Sequence, residues 1–266
     1  MLVYDDIKNY PKYKQIFGKF KQVKVFKTKY SIKIDFGKKK VFLSRDNDSG
    51  NTNILELINR VKNDAAKYIK AKEFKGSKDN IIFWSWFNDT SGVLGDDLQN
   101  VDLCKIDLTA AYWTKAINIG LISKSTIEHF EGIQFNSVKE KKAARLKALG
   151  SLATVKNVEI YRNGKRDSDF HELIYNQDTK DLYMWVCNEV AMDMQTVLSK
   201  VDGVYYYWDC IFVSPNSMQD VKDLFKYMGY RCTVENHKGK VHIGKNISYL
   251  CCPNKDGKLI QYPIEN

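Results

Sequence analysis

Between residues 21 and 44, apolar and polar positions alternate in two runs separated by Phe36-Gly37-Lys38, a pattern that predicts a β-hairpin. From Asn51-Thr52-Asn53 the period changes. Leu55, Ile58, Val61, Ala65 and Ile69 recur at helical spacing, predicting an amphipathic helix through about Lys72. Ile81 to Phe87 is an apolar strand candidate, and Asn88 to Asn100, with Ser91-Gly92 and Gly95-Asp96, reads as a loop. Val101 to Leu108 forms a short strand that carries an acid, Asp107, near its end. Helical signals follow at about 110 to 119, 124 to 130 and 137 to 149, then a strand pair around 152 to 163 turning at Asn163-Gly164. A long helix is expected from about Thr179 to Lys200, with Leu182, Val186, Val190, Met194 and Val197 on its core face. Gly203 then opens a hydrophobic strand that crosses Asp209 and continues through Val213. Ser217 is expected to cap a helix to about Met228, and three short strands finish the chain.

This order predicts an α+β fold, an antiparallel sheet backed by helices rather than the strand-helix alternation of a doubly wound protein. The loop at 88 to 100 places a boundary between a small basic N-terminal α+β subdomain, residues 1–99, and a second part, residues 100–266.

With 44% hydrophobic residues and only four prolines, the chain of 266 residues is composed like an ordered globular protein. No run of about 18 uncharged apolar residues occurs, so no membrane span is expected. Met1 to Asp6 lacks the basic-then-apolar layout of a secretion signal, and the expectation is a soluble cytoplasmic protein. Lysines and arginines outnumber acids by 42 to 32. Much of the excess lies early, where Lys19, Lys21, Lys24, Lys27 and Lys29 interleave with Phe20, Phe26 and Tyr30 before Lys38-Lys39-Lys40. Such a mixture suits a nucleic-acid backbone with bases packed beside it; it equally describes a solvated lysine-rich surface. The six cysteines contain no C-x-x-C pair. They read as reduced, mostly buried thiols, although a zinc site from Cys232, His237, His242 and Cys251 can be written down. The four histidines are scattered, and no G-x-S-x-G or Walker-type loop occurs, which argues against hydrolase and ATPase chemistry.

Asp107 and Asp209 are remote in sequence, and each lies in a hydrophobic strand segment. Phosphoryl transfer by two divalent cations roughly 4 Å apart needs carboxylates brought together from separate strands. Asp107 alone could be a strand-terminal or helix-capping residue, whereas a carboxylate in the run Trp208-Asp209-Cys210 is costly unless paired or bound to metal.

The flanking residues carry a resemblance. Asp107-Leu108-Thr109-Ala110-Ala111-Tyr112-Trp113-Thr114 resembles the first motif of the B-family DNA polymerases, D-L-T-S-L-Y-P-S. Tyr205-Tyr206-Tyr207-Trp208-Asp209-Cys210-Ile211-Phe212-Val213 is similar to that family's Y-G-D-T-D-S-I-F-V hairpin, with Tyr207 and Trp208 in place of the first aspartate and the threonine. Lys142 to Ala153 resembles the K-x-x-x-N-S-L-Y-G fingers helix through Gly150-Ser151-Leu152. The resemblance spans about residues 100 to 250 and implies a polymerase palm with a shortened fingers element. By it, Asp107 and Asp209 are the catalytic metal ligands, the backbone of Leu108 to Ala111 approaches the triphosphate, and Tyr112 lies beneath the incoming sugar. A ring there would crowd a 2′-hydroxyl and favour deoxynucleotides. Arg145 or Lys147 would steady the triphosphate, the register leaving the choice open, and Lys245 and Tyr249 would contact DNA. The implied cofactor is a pair of Mg2+ ions, with Mn2+ as a substitute. The implied partners are a DNA primer-template and deoxynucleoside triphosphates, with a protein partner able to supply missing fingers or thumb surface.

Residues 1–99 carry no acidic exonuclease motif and read equally as structural or as gripping template or primer. Two rivals stand beside the polymerase: a degenerate palm that binds DNA without turnover, and a nucleotidyltransferase that works without a template or primes on a protein hydroxyl. Small size and a lysine-asparagine bias suggest a viral or mobile-element source, and thus host cytoplasm.

Overall fold

The computed structural model describes residues 2–28, 31–44, 52–74, 85–87, 99–101, 104–170, 172–201, 203–236, 241–243, 249–253 and 258–263. In chain order the elements begin β1 (Leu2–Asp6), α1 (Tyr10–Gln15), β2 (Gln22–Lys27), β3 (Ser31–Asp35), β4 (Lys40–Ser44) and α2 (Thr52–Lys72). There follow β5 (Ser85–Phe87), β6 (Gln99–Val101), β7 (Cys104–Thr109), α3 (Ala111–Asn118), α4 (Lys124–Gly132) and α5 (Val138–Gly150). Next come β8 (Lys156–Arg162), β9 (Lys165–Arg166), β10 (Glu172–Ile174), α6 (Gln177–Lys200), β11 (Gly203–Tyr207) and β12 (Cys210–Val213). The last are α7 (Met218–Tyr227), β13 (Arg231–Asn236), β14 (Val241–Ile243), β15 (Tyr249–Pro253) and β16 (Leu259–Pro263). The fold is α+β. Among the described residues it has seven helices, a mixed seven-stranded sheet and antiparallel sheets of five and four strands. None of the described helices is long and apolar enough to cross a membrane.

The elements group into two units that alternate along the chain: Met1–Gly76 with Ile122–Tyr183, and Ser77–Leu121 with Met184–Asn266. The loop expected to carry a boundary, residues 88 to 100, lies outside the described residues apart from its last two, which open β6.

In the first unit the strand order is β1-β4-β3-β2-β8-β10, with β9 beside β8 and β1 parallel to β4. Alternation buries Val23, Val25, Ile34, Val41 and Leu43 completely on one face. Residues 21 to 44, expected to form one hairpin, form three strands. The first run breaks at Thr28, whose N–H donates to the Ser31 carbonyl (2.9 Å) and whose Oγ1 accepts from the Ser31 N–H (3.0 Å). That closes a turn without glycine or proline. The expected turn at Asn163-Gly164 is present with φ of +50° and +79°. Positive φ at both central residues is the mark of a two-residue type I′ hairpin loop, the form that matches strand twist.

On α2 Val61 and Ala65 are fully buried as expected, but Ile54 and Leu57 complete the buried stripe, while Leu55, Ile58 and Ile69 are only half-buried. Asp64 shares the buried side. It turns inward, 7% exposed, and accepts from the Ser123 N–H (2.9 Å) and the Thr126 hydroxyl (2.7 Å), so an acid occupies the buried face.

In the second unit the five-stranded sheet has the order β13-β7-β12-β11-β5, antiparallel throughout. β7, α6, β11, β12, α7 and β13 trace a β-α-β-β-α-β path in which β12 lies between the parallel pair β7 and β11, and β7 between β12 and β13. This is the split βαβ, ferredoxin-like connectivity. Cys104, Ile106 and Leu108 of β7 pack into one core with Val190, Met194 and Val197 of α6 and Val221 and Phe225 of α7. Both helices therefore cover the same face of the sheet. The five positions expected on the core face of α6 are all fully buried. The segment from Gly203 to Val213 is two strands, not one, with Trp208-Asp209 as the turn. At α7 the capping hydroxyl is Ser214, which accepts from the Ser217 N–H (3.3 Å) in a short 3-10 turn leading into the helix, while Ser217 itself is buried. Among the described residues beyond α7, four strands follow where three were expected.

Candidate active site

Strand β7 shows strict alternation: Cys104, Ile106 and Leu108 are buried, and Lys105, Asp107 and Thr109 point the other way. Asp107 thus lies on the face opposite α6 and α7, with 31% of its side chain exposed. Directly opposite residues on paired strands share a face. Asp107 is flanked by Cys210 on β12 and Thr233 on β13, and Lys105 by Phe212 and Glu235.

Asp209 is the second residue of the β11–β12 turn, half-exposed, at the end of β12 that adjoins Asp107 and Leu108. The Leu108 N–H donates to the Asp209 carbonyl at 2.8 Å, which ties the turn to β7 one residue past Asp107. Trp208, the first turn residue, has φ +55°. A bulky side chain is uncommon in that left-handed region, and strained backbone of this kind clusters at functional turns. Its ring meets Tyr207 edge-on at 6.2 Å.

The Cys210 thiol reports on both acids. Burial pushes it well above the ordinary thiol range, the Lys105 ammonium lowers it, and the charges of Asp107 and Asp209 each raise it. The two carboxylates therefore share one electrostatic neighbourhood around this sulfur. Its Sγ–H donates to the Tyr207 carbonyl at 3.1 Å, which closes the hairpin beneath the turn.

After Thr109 the chain turns through Ala110, in the left-handed conformation (φ 56°, ψ 44°), directly into α3. Ala110 offers no side-chain cap, so the positive end of the α3 dipole points back toward the end of β7. Tyr112 stands in the first turn of α3, half-buried against the core beneath the sheet. Farther along α3, Lys115 pairs with Asp193 (2.9 Å) and Glu189 (3.4 Å) of α6, and the Tyr230 hydroxyl donates to Asp193 (2.6 Å). These bonds anchor α3 upon α6.

Asp107 and Asp209 thus lie about the β7–α3 junction and the β11–β12 turn, whereas Leu108 is buried in the core on the other face of the sheet and Tyr112 packs against that core. The Leu108 amide is spent on the Asp209 carbonyl and is not a donor for a ligand. Arg145 and Lys147 belong to the first unit, on α5. Arg145 sets its guanidinium 5.8 Å from the Phe130 ring centroid; burial lowers its pKa, against the opposing charge of Glu131. Tyr249 opens β15, in the sheet ordered β16-β15-β14-β6, and Lys245 lies outside the described residues. Of the zinc candidates, His242 and Cys251 are register partners on β14 and β15, Cys232 is half-buried on β13, and His237 is outside the described residues.

One partner escaped the reading of the sequence: Lys105, whose Nζ lies 2.9 Å from Asp107 Oδ2. Two-residue spacing on a strand was the available signal. Among the described residues no three His, Cys, Asp or Glu side chains gather as a metal-holding group. Two carboxylates still suit magnesium, which keeps several waters and is commonly held by one or two carboxylates together with substrate phosphates. No protein-family model matches the chain, and no curated protein matches it.

Proposed function

We propose that the chain is a DNA polymerase-type nucleotidyltransferase with a small B-family-like palm, extending a 3′-hydroxyl with deoxynucleoside triphosphates. One observation carries the reading. Asp107 and Asp209, singled out by two separate motifs, lie at the same end of neighbouring antiparallel strands, on a βαββαβ sheet, and are joined through the Leu108–Asp209 hydrogen bond. Asp107 faces away from α6 and α7, with 31% of its side chain exposed.

Asp107 and Asp209 would hold the divalent cations. When bound, these would lower the pKa of the attacking hydroxyl and neutralise charge on the triphosphate. The chain's own residues do the rest. The start of α3 favours negative charge close to Asp107, and Tyr112, in the first turn of the same helix, would supply the ring beneath the incoming sugar. Lys105, now paired with Asp107, balances the acid's charge in the absence of a substrate.

Primer extension with Mg2+ and with Mn2+ tests the proposal. Wild type is expected to extend a primer, and Asp107→Asn and Asp209→Asn to fall by at least about a hundredfold while keeping wild-type circular dichroism. If wild type and Asp107→Asn incorporate equally little, the enzyme reading fails.

The Lys105–Asp107 ion pair also favours a second reading, a palm that binds DNA but has lost turnover, because a lysine then occupies the place of a cation. In that case both carboxylate variants bind DNA as wild type does and none of the three proteins extends a primer.

A further inference from the structure

The basic excess is confined to one unit: 30 lysines and arginines against 17 acids in Met1–Gly76 with Ile122–Tyr183, but 12 against 15 in the remainder. Within that unit one face of the sheet, carrying Val23, Val25, Ile34, Val41 and Leu43, is core. The opposite face is closed at β8, where Val158 and Ile160, beside Phe26 and Lys24, are buried, but differs over β1 to β4. Strand register places Tyr4, Phe42, Lys33 and Phe26 in a single row across β1, β4, β3 and β2. Tyr4 is 42% exposed, and Phe42 and Phe26 are half-buried, unlike the closed positions behind them. The Tyr4 and Phe42 rings meet edge-on at 6.0 Å, and Lys33 holds its ammonium 5.3 Å from the Phe26 ring centroid.

The next row on the same face carries Lys40, Asp35 and Lys24. Asp35 is committed locally, to the Gly37 N–H (2.8 Å) and to Lys40 (3.7 Å). Exposed Lys24 and Lys38, the latter in the β3–β4 turn, add charge along the same margin. Two aromatic stations therefore lie about two strand spacings apart, roughly 10 Å, with a lysine between them and cations along one side.

We infer that this face binds a single-stranded polynucleotide, with bases stacking at Tyr4–Phe42 and at Phe26 and phosphates meeting Lys33, Lys24 and Lys40. Aromatic side chains on an open sheet, spaced among cations, supply what unpaired bases and their backbone need. A duplex keeps its base faces stacked inside and offers them nothing to hold. The site belongs to the other unit from Asp107 and Asp209 and does not depend on their chemistry.

The test is fluorescence anisotropy of the whole chain with labelled (dT)15, alongside labelled heparin as a polyanion without bases. Tyr4→Ala and Phe42→Leu are each expected to weaken (dT)15 about tenfold and leave heparin binding unchanged; Tyr4→Trp should bind (dT)15 like wild type. Lys24→Gln should weaken both ligands. Thermal melts followed by circular dichroism accompany every variant, and exposed Tyr4 keeps the test open should Phe42→Leu unfold. Asp107→Asn and Asp209→Asn should bind (dT)15 normally, so failure of the polymerase proposal leaves this one standing. The inference is overturned if Tyr4→Ala binds (dT)15 like wild type, if it loses heparin and (dT)15 equally, or if the Asp variants abolish (dT)15 binding.

Discussion

Lys105 and Asp107 show how one residue modulates another. Their side chains share a face of β7, their ion pair measures 2.9 Å, and both are partly shielded, 16% and 31% exposed. As a contribution to stability such a pair is worth about 1 kcal/mol or less, but as competition for a divalent cation it matters more. Lys105→Ala is expected to tighten Mn2+ binding on the order of tenfold, read by electron paramagnetic resonance of free Mn2+, and Asp107→Asn to abolish it. Unchanged affinity in Lys105→Ala would mean that the lysine does not compete with the cation, and unchanged affinity in Asp107→Asn that Asp107 is not a ligand. In the first unit Glu159 behaves differently, because it is buried. Burial alone would raise its pKa, yet the Lys27 ammonium at 2.7 Å, the Tyr161 hydroxyl and Arg166 together hold it below the usual value of 4.5. A carboxyl depressed on folding adds stability above its unfolded pKa, and that stability is lost as pH falls through the lower folded value. Glu159→Gln should therefore cost about 1–3 kcal/mol at pH 7. The gap from wild type should close as the pH drops below about 4.5, as urea melts across pH would show. Asp107 and Asp209, the two candidate carboxylates, stand out in the sequence because an acid in an apolar run is conspicuous. Lys105 and Glu159 do not, since their meaning depends on which strand lies alongside.

Legibility at the level of elements follows period and length. α6 carries its stripe through 24 residues, and each expected core position is buried. On α2 only Val61 and Ala65 of the expected stripe are fully buried, and an acid, Asp64, sits inward beside them because hydrogen bonds from Ser123 and Thr126 make its burial acceptable. Turns divide along the same line. Asn163-Gly164 has the residues its left-handed φ values require, whereas Thr28 closes a turn with a hydroxyl, a weaker turn signal than glycine, asparagine or proline. Gly164 has a second reason to be glycine: a Cβ there would stand 2.9 Å from the Gly18 Cα, backbone against backbone. Gly164→Ala combines that clash with φ +79° and is expected to lower stability by about 2–4 kcal/mol, visible as a fall in the midpoint of chemical unfolding. Gly37→Ala, at φ +86° but with open space around it, isolates the conformational part and should cost only about 1 kcal/mol. Equal losses at the two sites would show that the approach to Gly18 is not felt.

Over the whole molecule, the order of elements could be read from the sequence and their partnership could not. Local period identifies a strand, but only long-range pairing selects its neighbour, and here the choices reach far along the chain. β2 lies between β3 and β8, so residues 22–27 pair with residues 157–162. The same pairing brings Tyr161 into the core beside Phe17, ring centroids 4.8 Å apart. The consequence is testable by cutting the chain. A fragment of residues 1–99 contains β1 to β4 and α2 but lacks β8. It leaves the β2 edge bare and a hole in the core where Tyr161 belongs. Exposed edges of this kind pair with other chains. The fragment is expected to aggregate or to melt without a cooperative transition. Residues 1–76 joined by a flexible linker to 122–183 restore β8, α4 and α5 and should give a cooperative melt, since every strand of the seven-stranded sheet is then present. If instead the 1–99 fragment unfolds cooperatively as a monomer, β8 is dispensable and the N-terminal strands form a domain by themselves.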